Sequence, residues 1–161
     1  MSELAYVALG ANLGDSLKTL KMAIRAIEGV PGIQLKRCSS FYRTAPIDSS
    51  GPDYVNAVIE IETQLQAEAL LKTLLDIEND YGRVRPAGIH NAPRTLDLDL
   101  LLYGEKTQQT AYLTLPHPRM HERAFVLVPL TEIAPQVSIP GLGLAKDFLP
   151  HVADQAIEKV N

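Results

Sequence analysis

Two aspartates that alternate with leucines in residues 92–104 (APRTLDLDLLLYG) are the strongest chemical signal in the sequence. Successive side chains of a strand point to opposite faces, so Asp97 and Asp99 are predicted to share a face with Thr95. The other face is predicted to carry Leu96, Leu98, Leu100 and Leu102. Neighbouring carboxylates repel each other, whereas Mg²⁺ binds such oxygens together with substrate phosphates and water. The pattern favours a metal site; a solvated face of an edge strand is the alternative.

Basic side chains lie on both sides of this strand in the sequence. Arg83, Arg85 and Arg94 precede the two aspartates, and His117 and Arg123 follow them. One arginine alone is usually a solvated surface charge, but several guanidinium groups near a carboxylate pair can bind and neutralise phosphate oxygens. The combination indicates phosphoryl-type transfer.

Another predicted strand, residues 54–63, carries groups that could bind a flat ring. Tyr54 and Asn56 fall on one of its faces with Val58 and Glu60. An aromatic ring and an amide side by side can stack on a planar heterocycle and hydrogen-bond to its edge. An outward polar face explains the pattern equally well, so both interpretations stay open.

The elements that would position these residues follow from apolar spacing and turn signals. Residues 67–81 are predicted to form a helix, and Glu78 near its end opposes the helix dipole, which hints at a use for this carboxylate. The first strand is predicted to be bounded by Gly10, which opens a strand-to-helix turn. The other predicted elements are strands 4–9, 33–44, 54–63 and 112–115, helices 17–28 and 125–133, and a terminal helix 147–160.

The order strand, helix, strand, strand, helix, strand is that of the ferredoxin-like split βαβ unit. We therefore expect an α+β fold: a ferredoxin-like βαββαβ core with additional C-terminal elements, arranged as a three-layer α/β sandwich. At 161 residues the chain is expected to be a single domain, residues 1–161.

Charge and composition narrow the classes of partner. The net charge is −4, which argues against a broad nucleic-acid surface. Between Arg83 and Arg123, however, six Lys and Arg stand against four Asp and Glu. A local basic patch on an acidic protein suits a small anionic ligand better than a polymer.

The sequence also gives expectations about the compartment. Cys38 is the single cysteine, so no internal disulfide is possible and a reducing compartment is favoured; the residue is expected to be a small core side chain. The segment MSELAYVALG lacks a signal-peptide pattern, and no apolar run approaches the length of a membrane span. We expect a cytoplasmic protein with no membrane partner.

Several segments together resemble the 6-hydroxymethyl-7,8-dihydropterin pyrophosphokinase family of folate biosynthesis. The matching segments are ALGANLGD, SSFYRTAPI, GPDYVNAV, IENDYGRVR, PRTLDLDLLLYG, LTLPHPRMHERAF and VPLTEIAP. The resemblance implies a ferredoxin-like monomer that transfers pyrophosphate from ATP to the pterin hydroxymethyl group, releasing AMP, with two Mg²⁺ ions. The family often has a Trp in the loop before PRTLDLDL, where this chain offers His90 or Asn91.

The resemblance also implies roles for individual residues. Asp97 and Asp99 would bind both metal ions, and Arg83 and Arg94 would assist the transfer. The pterin would contact Thr44, Pro46, Ile47, Tyr54, Asn56 and Phe125. ATP would contact Glu78, Arg83, Arg85, Arg94, Leu100, Thr114, His117 and Arg123.

Two other functions would use some of the same residues. A metal-dependent phosphohydrolase or a DxD-type nucleotidyl-sugar transferase would need the carboxylates and arginines but no ring-binding residues. A ferredoxin-like sensor of a small anion would need no metal pair and would commonly be an oligomer.

Overall fold

The computed structural model of the chain describes residues 2–12, 15–45, 53–82 and 96–160. Its strands are β1 (Glu3–Ala11), β2 (Ile33–Cys38), β3 (Tyr42–Thr44), β4 (Tyr54–Thr63), β5 (Asp97–Tyr103), β6 (Gln108–Gln109), β7 (Thr114–Leu115), β8 (Ser138–Ile139), β9 (Gly143–Leu144) and β10 (Ile157–Lys159). The α-helices are α1 (Ser16–Glu28), α2 (Ala67–Gly82) and α3 (Ala124–Ile133), and two 3₁₀ helices span Met120–Glu122 and Ala145–Val152.

One six-stranded sheet organises the molecule. Its strand order is β10-β3-β4-β1-β5, and β2 also pairs with β4. All of these pairings are antiparallel. The strand with the two aspartates, β5, therefore lies at an edge of the sheet, next to the central strand β1.

Helices pack on both faces of this sheet. On one face, α1 and α2 bury side chains such as Leu20 and Leu74 against Val7 and Ile59. On the other face, α3 and the 3₁₀ helix Ala145–Val152 cover a second apolar cluster that includes Val58. The three layers arise because alternate residues of the central strands are apolar on both sides, as in β4, where Ile59 and Val58 serve opposite faces.

The strand β5 departs from the alternation that the sequence predicts. Its register against β1 shifts between Tyr6 and Val7. Consequently Leu101 and Leu102 both belong to the α3-side cluster, whereas Leu98 and Leu100 pack on the side of α1 and α2. The prediction that Leu102 continues the face of Leu98 and Leu100 is wrong, because a bulge changes which side chains share a face.

Gly10 is a strand residue and not the start of a turn. β1 continues through Gly10 to Ala11, and Gly10 pairs with Asn56 on one side and Asp97 on the other. The α1 helix begins at Ser16, and Asp15 caps it by accepting a hydrogen bond from the Lys18 amide.

The predicted strand 33–44 is interrupted at Ser39. The Ser39 amide donates to the Val58 carbonyl, and the Ser39 hydroxyl accepts from the Val58 amide. These two bonds end β2 and redirect the chain into β3. Cys38, expected in the core, is exposed at the end of β2.

The predicted terminal helix 147–160 is also wrong. A 3₁₀ helix ends at Val152, and residues 157–159 form β10 on the edge of the sheet. Pro150 has no amide hydrogen to donate within a longer helix, which is consistent with the early end. Within the described ranges, none of the helices is long and apolar enough to cross a membrane.

Candidate functional site

Four strands place the principal polar residues in one row across the sheet. Tyr42 of β3 pairs with Asn56 of β4, Asn56 pairs with Gly10 of β1, and Gly10 pairs with Asp97 of β5. Paired residues of antiparallel strands point to the same face. With neighbouring strands about 4.8 Å apart, Asn56 and Asp97 stand about 10 Å apart on either side of Gly10.

The missing side chain of Gly10 leaves room for the Asn56 amide. A Cβ atom at Gly10 would lie 3.0 Å from Asn56 Oδ1 and 3.8 Å from a ring carbon of Tyr54. The Asn56 Nδ2 donates to the Thr44 hydroxyl at 2.8 Å, and the Asn56 side chain is only 4% exposed. Asn56 is thus oriented by Thr44 and extends over the backbone of β1, so the two proposed ring-edge contacts form one unit.

Tyr54 stands at the start of the same strand. Burial raises the pKa of the Tyr54 hydroxyl, and the negative charge of Asp97 raises it further. The charge of Asp97 therefore acts on the Tyr54 phenol. Among the described residues, no ring contact joins Tyr54 to Phe125, and the stacking of a pterin between them stays a prediction.

A cavity of about 350 Å³ lies beside the two aspartates. Asp97 and Asp99 are both half-buried on one face of β5, as predicted, although β5 is an edge strand. Six residues predicted for metal or ATP line this cavity: Glu78, Asp97, Asp99, Leu100, Thr114 and His117. Residues from α2, β5, β7 and the following loop are thus brought together although they are distant in the sequence.

Glu78 connects α2 to this strand. Its carboxylate accepts a hydrogen bond of 2.9 Å from the Leu98 amide, and its side chain is 4% exposed. A carboxylate near a helix C-terminus interacts unfavourably with the helix dipole. Here the Glu78 carboxylate instead accepts from the amide of Leu98, the residue between the two aspartates. Glu78 therefore helps to hold β5 in the position that presents Asp97 and Asp99 to the cavity.

The His117 ring is oriented by backbone groups. The His117 amide donates to the Leu101 carbonyl at 2.9 Å, and His117 Nδ1 accepts from the Arg119 amide at 3.2 Å. With Nδ1 as the acceptor, the neutral ring carries its hydrogen on Nε2. Burial lowers the pKa of His117; the charge of Asp99 opposes this, while Arg123 and Arg119 reinforce it.

A second cavity, of about 410 Å³, lies between β3 and the start of α3. Thr44, Arg123 and Phe125 line it. The Arg123 guanidinium carbon lies 5.5 Å from the centre of the Phe125 ring, in a cation–π arrangement. Arg123, predicted as an ATP contact, is thus placed with the proposed pterin residues, while its charge still acts on His117 in the neighbouring cavity.

The structure adds residues that the sequence did not single out. Arg119 and Gln155 line the second cavity, and Gly10 lies between the two groups of candidate residues. Only Gly10 carried a local signal, since a glycine within a strand often marks a close approach. The others depend on contacts between distant parts of the chain.

Several predicted residues lie outside the described ranges. These are Pro46, Ile47, Arg83, Arg85, His90, Asn91, Arg94 and Thr95. Their assignments stay predictions.

The donor set at Asp97 and Asp99 fits a hard divalent cation. Both side chains supply carboxylate oxygens to the same face of one strand, beside a cavity. Among the described residues, no group of three His, Cys, Asp or Glu side chains could hold a metal ion. Mg²⁺ is usually bound by one or two carboxylates together with water and substrate oxygens, which two aspartates beside a cavity would allow.

The sequence is similar to that of a known enzyme family. The family model described as 7,8-dihydro-6-hydroxymethylpterin-pyrophosphokinase (HPPK) matches residues 6–135. The 2-amino-4-hydroxy-6-hydroxymethyldihydropteridine pyrophosphokinase of Haemophilus influenzae is 44% identical over 158 residues, which cover 98% of both chains. The protein of the same name from Synechocystis is 46% identical over 139 residues, covering 86% of this chain and 70% of that protein.

Solved structures show the same fold at low sequence identity. A Plasmodium falciparum HPPK-DHPS triple mutant with STZ-DHP superposes with a TM-score of 0.74 at 12% identity. The match covers 96% of this chain and 44% of the Plasmodium chain. The mixed α/β architecture with its antiparallel sheet is therefore that of known HPPK domains.

Proposed function

Because the chain belongs to the 7,8-dihydro-6-hydroxymethylpterin-pyrophosphokinase family, we propose that it transfers the pyrophosphoryl group of ATP to 6-hydroxymethyl-7,8-dihydropterin, releasing AMP. This reaction belongs to folate biosynthesis. The observation that carries the proposal is the row Asn56, Gly10 and Asp97, because it sets a ring-binding group beside a carboxylate pair on one sheet face.

The two cavities supply the two substrate sites of this reaction. ATP would occupy the cavity of Asp97, Asp99 and His117, and the pterin would occupy the cavity beside Thr44 and Phe125. The Thr44 and Asn56 side chains offer donors and acceptors to the pterin edge. The row across the sheet would then bring the pterin hydroxymethyl group close to the triphosphate. A reaction between two bound substrates requires such proximity.

In the chemical step the hydroxymethyl oxygen bonds to the β-phosphorus of ATP. The bond from that phosphorus to the oxygen bridging the α- and β-phosphates breaks, AMP leaves with the electron pair, and the hydroxyl proton is released. We assign no side-chain base. His117 would donate its Nε2 hydrogen to a phosphate oxygen, since its Nδ1 is already an acceptor.

Asp97 and Asp99 would hold Mg²⁺, which neutralises phosphate charge and orients the triphosphate. Arg123 would bind phosphate oxygens between the two cavities, where its charge reaches His117. For Arg83 and Arg94 the sequence supports a contribution from the preceding loop, in which guanidinium groups close over the phosphates and exclude water.

We further propose that the core is ferredoxin-like, that residues 1–161 form one domain, and that the protein is a cytoplasmic monomer. The order β5-β1-β4-β2 with antiparallel neighbours supports the ferredoxin-like description. The shared six-stranded sheet supports one domain, and the single cysteine supports a reducing compartment.

The test is AMP release from MgATP with and without 6-hydroxymethyl-7,8-dihydropterin. We expect one AMP for each pterin pyrophosphate, and no AMP or ADP without pterin. AMP or ADP formed equally fast without pterin would contradict the proposal and indicate a phosphohydrolase. Binding of either substrate with no turnover would indicate a sensor.

A further inference from the structure

Residues 155–160 contact both walls of the cavity between β3 and α3. Strand β10 pairs with β3, and Ile157 lies opposite Thr44. Beyond that strand, the Val160 amide donates to the Phe41 carbonyl at 2.8 Å. One wall of the cavity, with Thr44, is therefore fixed to this C-terminal segment by backbone hydrogen bonds.

Gln155 fixes the opposite wall through its side chain. Its Oε1 accepts from the Ala124 amide at 2.9 Å, and its Nε2 donates to the Glu122 carbonyl at 2.9 Å. The two bonds bracket Arg123, the residue before α3. The first amides of a helix lack partners within the helix, and the Arg123 side chain makes no capping hydrogen bond.

We propose that Gln155 is a positioning residue for the pterin site: its amide clamps residues 122–124 and so aims Arg123 and Phe125 into the cavity opposite Thr44. Gln155 lines that cavity with these three residues. The inference rests on the proposed function, because the cavity is taken as the pterin site.

The clamp requires an amide. A glutamine offers an acceptor and a donor at once, whereas a glutamate offers acceptors only. Gln155→Glu would keep the bond to the Ala124 amide, where a negative charge suits the helix N-terminus. It would lose the bond to the Glu122 carbonyl and add a carboxylate to the cavity that Arg123 lines.

The other end of α3 provides a matched control. The Arg37 Nη1 donates to the Ile133 carbonyl at 2.8 Å. Arg37→Ala therefore removes a side-chain bond to the last turn of the same helix, together with the 3.9 Å ion pair to Glu60, far from residues 122–125. It should destabilise α3 without moving the cavity wall.

The experiment measures three quantities for the wild-type protein and for Gln155→Ala, Gln155→Glu and Arg37→Ala. They are the pterin Kd, the KM of each substrate with kcat, and the Tm. We expect the pterin Kd and KM to rise about five- to tenfold in both Gln155 variants, since one or two hydrogen bonds are lost. Because Arg123 would also bind ATP phosphate oxygens, the KM of MgATP should rise as well, but by less than the pterin KM, since the carboxylate cavity itself is untouched.

Stability separates positioning from a purely structural role. Gln155→Ala and Arg37→Ala should both lower the Tm, whereas Gln155→Glu should keep it near wild type. Pterin binding that is unchanged in Gln155→Glu, or weakened equally in Arg37→Ala, would overturn the proposal. A wild-type protein that shows no pterin-dependent AMP release would instead overturn the proposed function.

Discussion

Single side chains divide the candidate site into a charged half and an amide half. Asp97 and Asp99 share one face of β5 because Leu98 between them packs against the helices on the other face. Asn56 is held by Thr44 and passes over Gly10. The carboxylates therefore depend on Leu98 for their orientation, and the amide depends on Thr44 and Gly10.

Loss of either carboxylate charge should abolish most of the activity. Asp97→Asn and Asp99→Asn keep the side-chain size but remove the charge that would bind Mg²⁺. We expect kcat/KM to fall about a thousandfold or more, equivalent to several kcal/mol of transition-state stabilisation. Asp76→Asn is the control, since Asp76 pairs with Lys72 on the exposed side of α2. If both β5 variants retain activity within about tenfold, the metal assignment is wrong.

A methyl group at Gly10 should weaken pterin binding selectively. Gly10→Ala would place a Cβ 3.0 Å from Asn56 Oδ1, displace the Asn56 amide and disturb its hydrogen bond to Thr44. We expect the pterin KM to rise about tenfold, with a loss of about 1–3 kcal/mol in stability from overpacking. Gly29→Ala is the control, because its Cβ would meet the Arg25 carbonyl oxygen at 3.4 Å, remote from the site. A KM effect on ATP alone would contradict this placement of Asn56.

The residues of the site were predictable from the sequence where they follow the two-residue alternation of a strand. The face shared by Asp97 and Asp99, and that shared by Tyr54 and Asn56, follow from the two-residue repeat of a strand. Gln155 was not predictable, because its partners lie around Ala124 and no local pattern connects them. Leu102 was misassigned, since a bulge depends on the register with β1.

At the scale of the elements, the Glu132 carboxylate connects the last turn of α3 to residues 40–42. Glu132 accepts from the Ser40 amide and hydroxyl, at 3.0 and 2.7 Å, and from the Tyr42 hydroxyl at 2.8 Å. These bonds hold the segment that leads to Thr44 against the helix that carries Phe125. Together with the Ser39–Val58 bonds, they stabilise the break between β2 and β3.

This connection should give the protein a defined sensitivity to alkaline pH. Burial, the hydrogen bond to Glu132 and its charge raise the pKa of Tyr42 to about 12. The unfolded chain loses this proton near pH 10, so between about pH 10 and 12 the native state binds more protons and the free energy of unfolding falls as pH rises. Tyr42→Phe should show a shallower fall in urea titrations across that range.

The same variant should be about 1 kcal/mol less stable at neutral pH, because it lacks the bond to Glu132. Tyr112→Phe is the control, as Tyr112 is exposed. An equal pH slope in wild type and Tyr42→Phe would show that Tyr42 contributes nothing to the alkaline loss.

Across the molecule, the sheet order explains why the site lies where it does. The central strand β1 pairs with β4 on one side and β5 on the other, so the ring-binding and carboxylate groups necessarily face each other across Gly10. These strands were predictable from the sequence, because each is a long and strongly apolar run. The short elements after β5 were mostly not predicted, since two- and three-residue strands carry no period of their own.

The pairing of β10 with β3 also has a consequence for the time course of folding. Its partners are farther apart in the sequence than those of the sheet's other pairings, and contacts that close longer loops form more slowly. During synthesis, β1 to β5 can assemble before residues 155–160 have left the ribosome. At that stage the cavity wall that carries Phe125 lacks its hydrogen bonds to Gln155. In refolding experiments, pterin binding should therefore recover later than the far-ultraviolet circular dichroism signal, and simultaneous recovery would contradict this order. A newly made chain would acquire its helices and sheet first and its catalytic competence last.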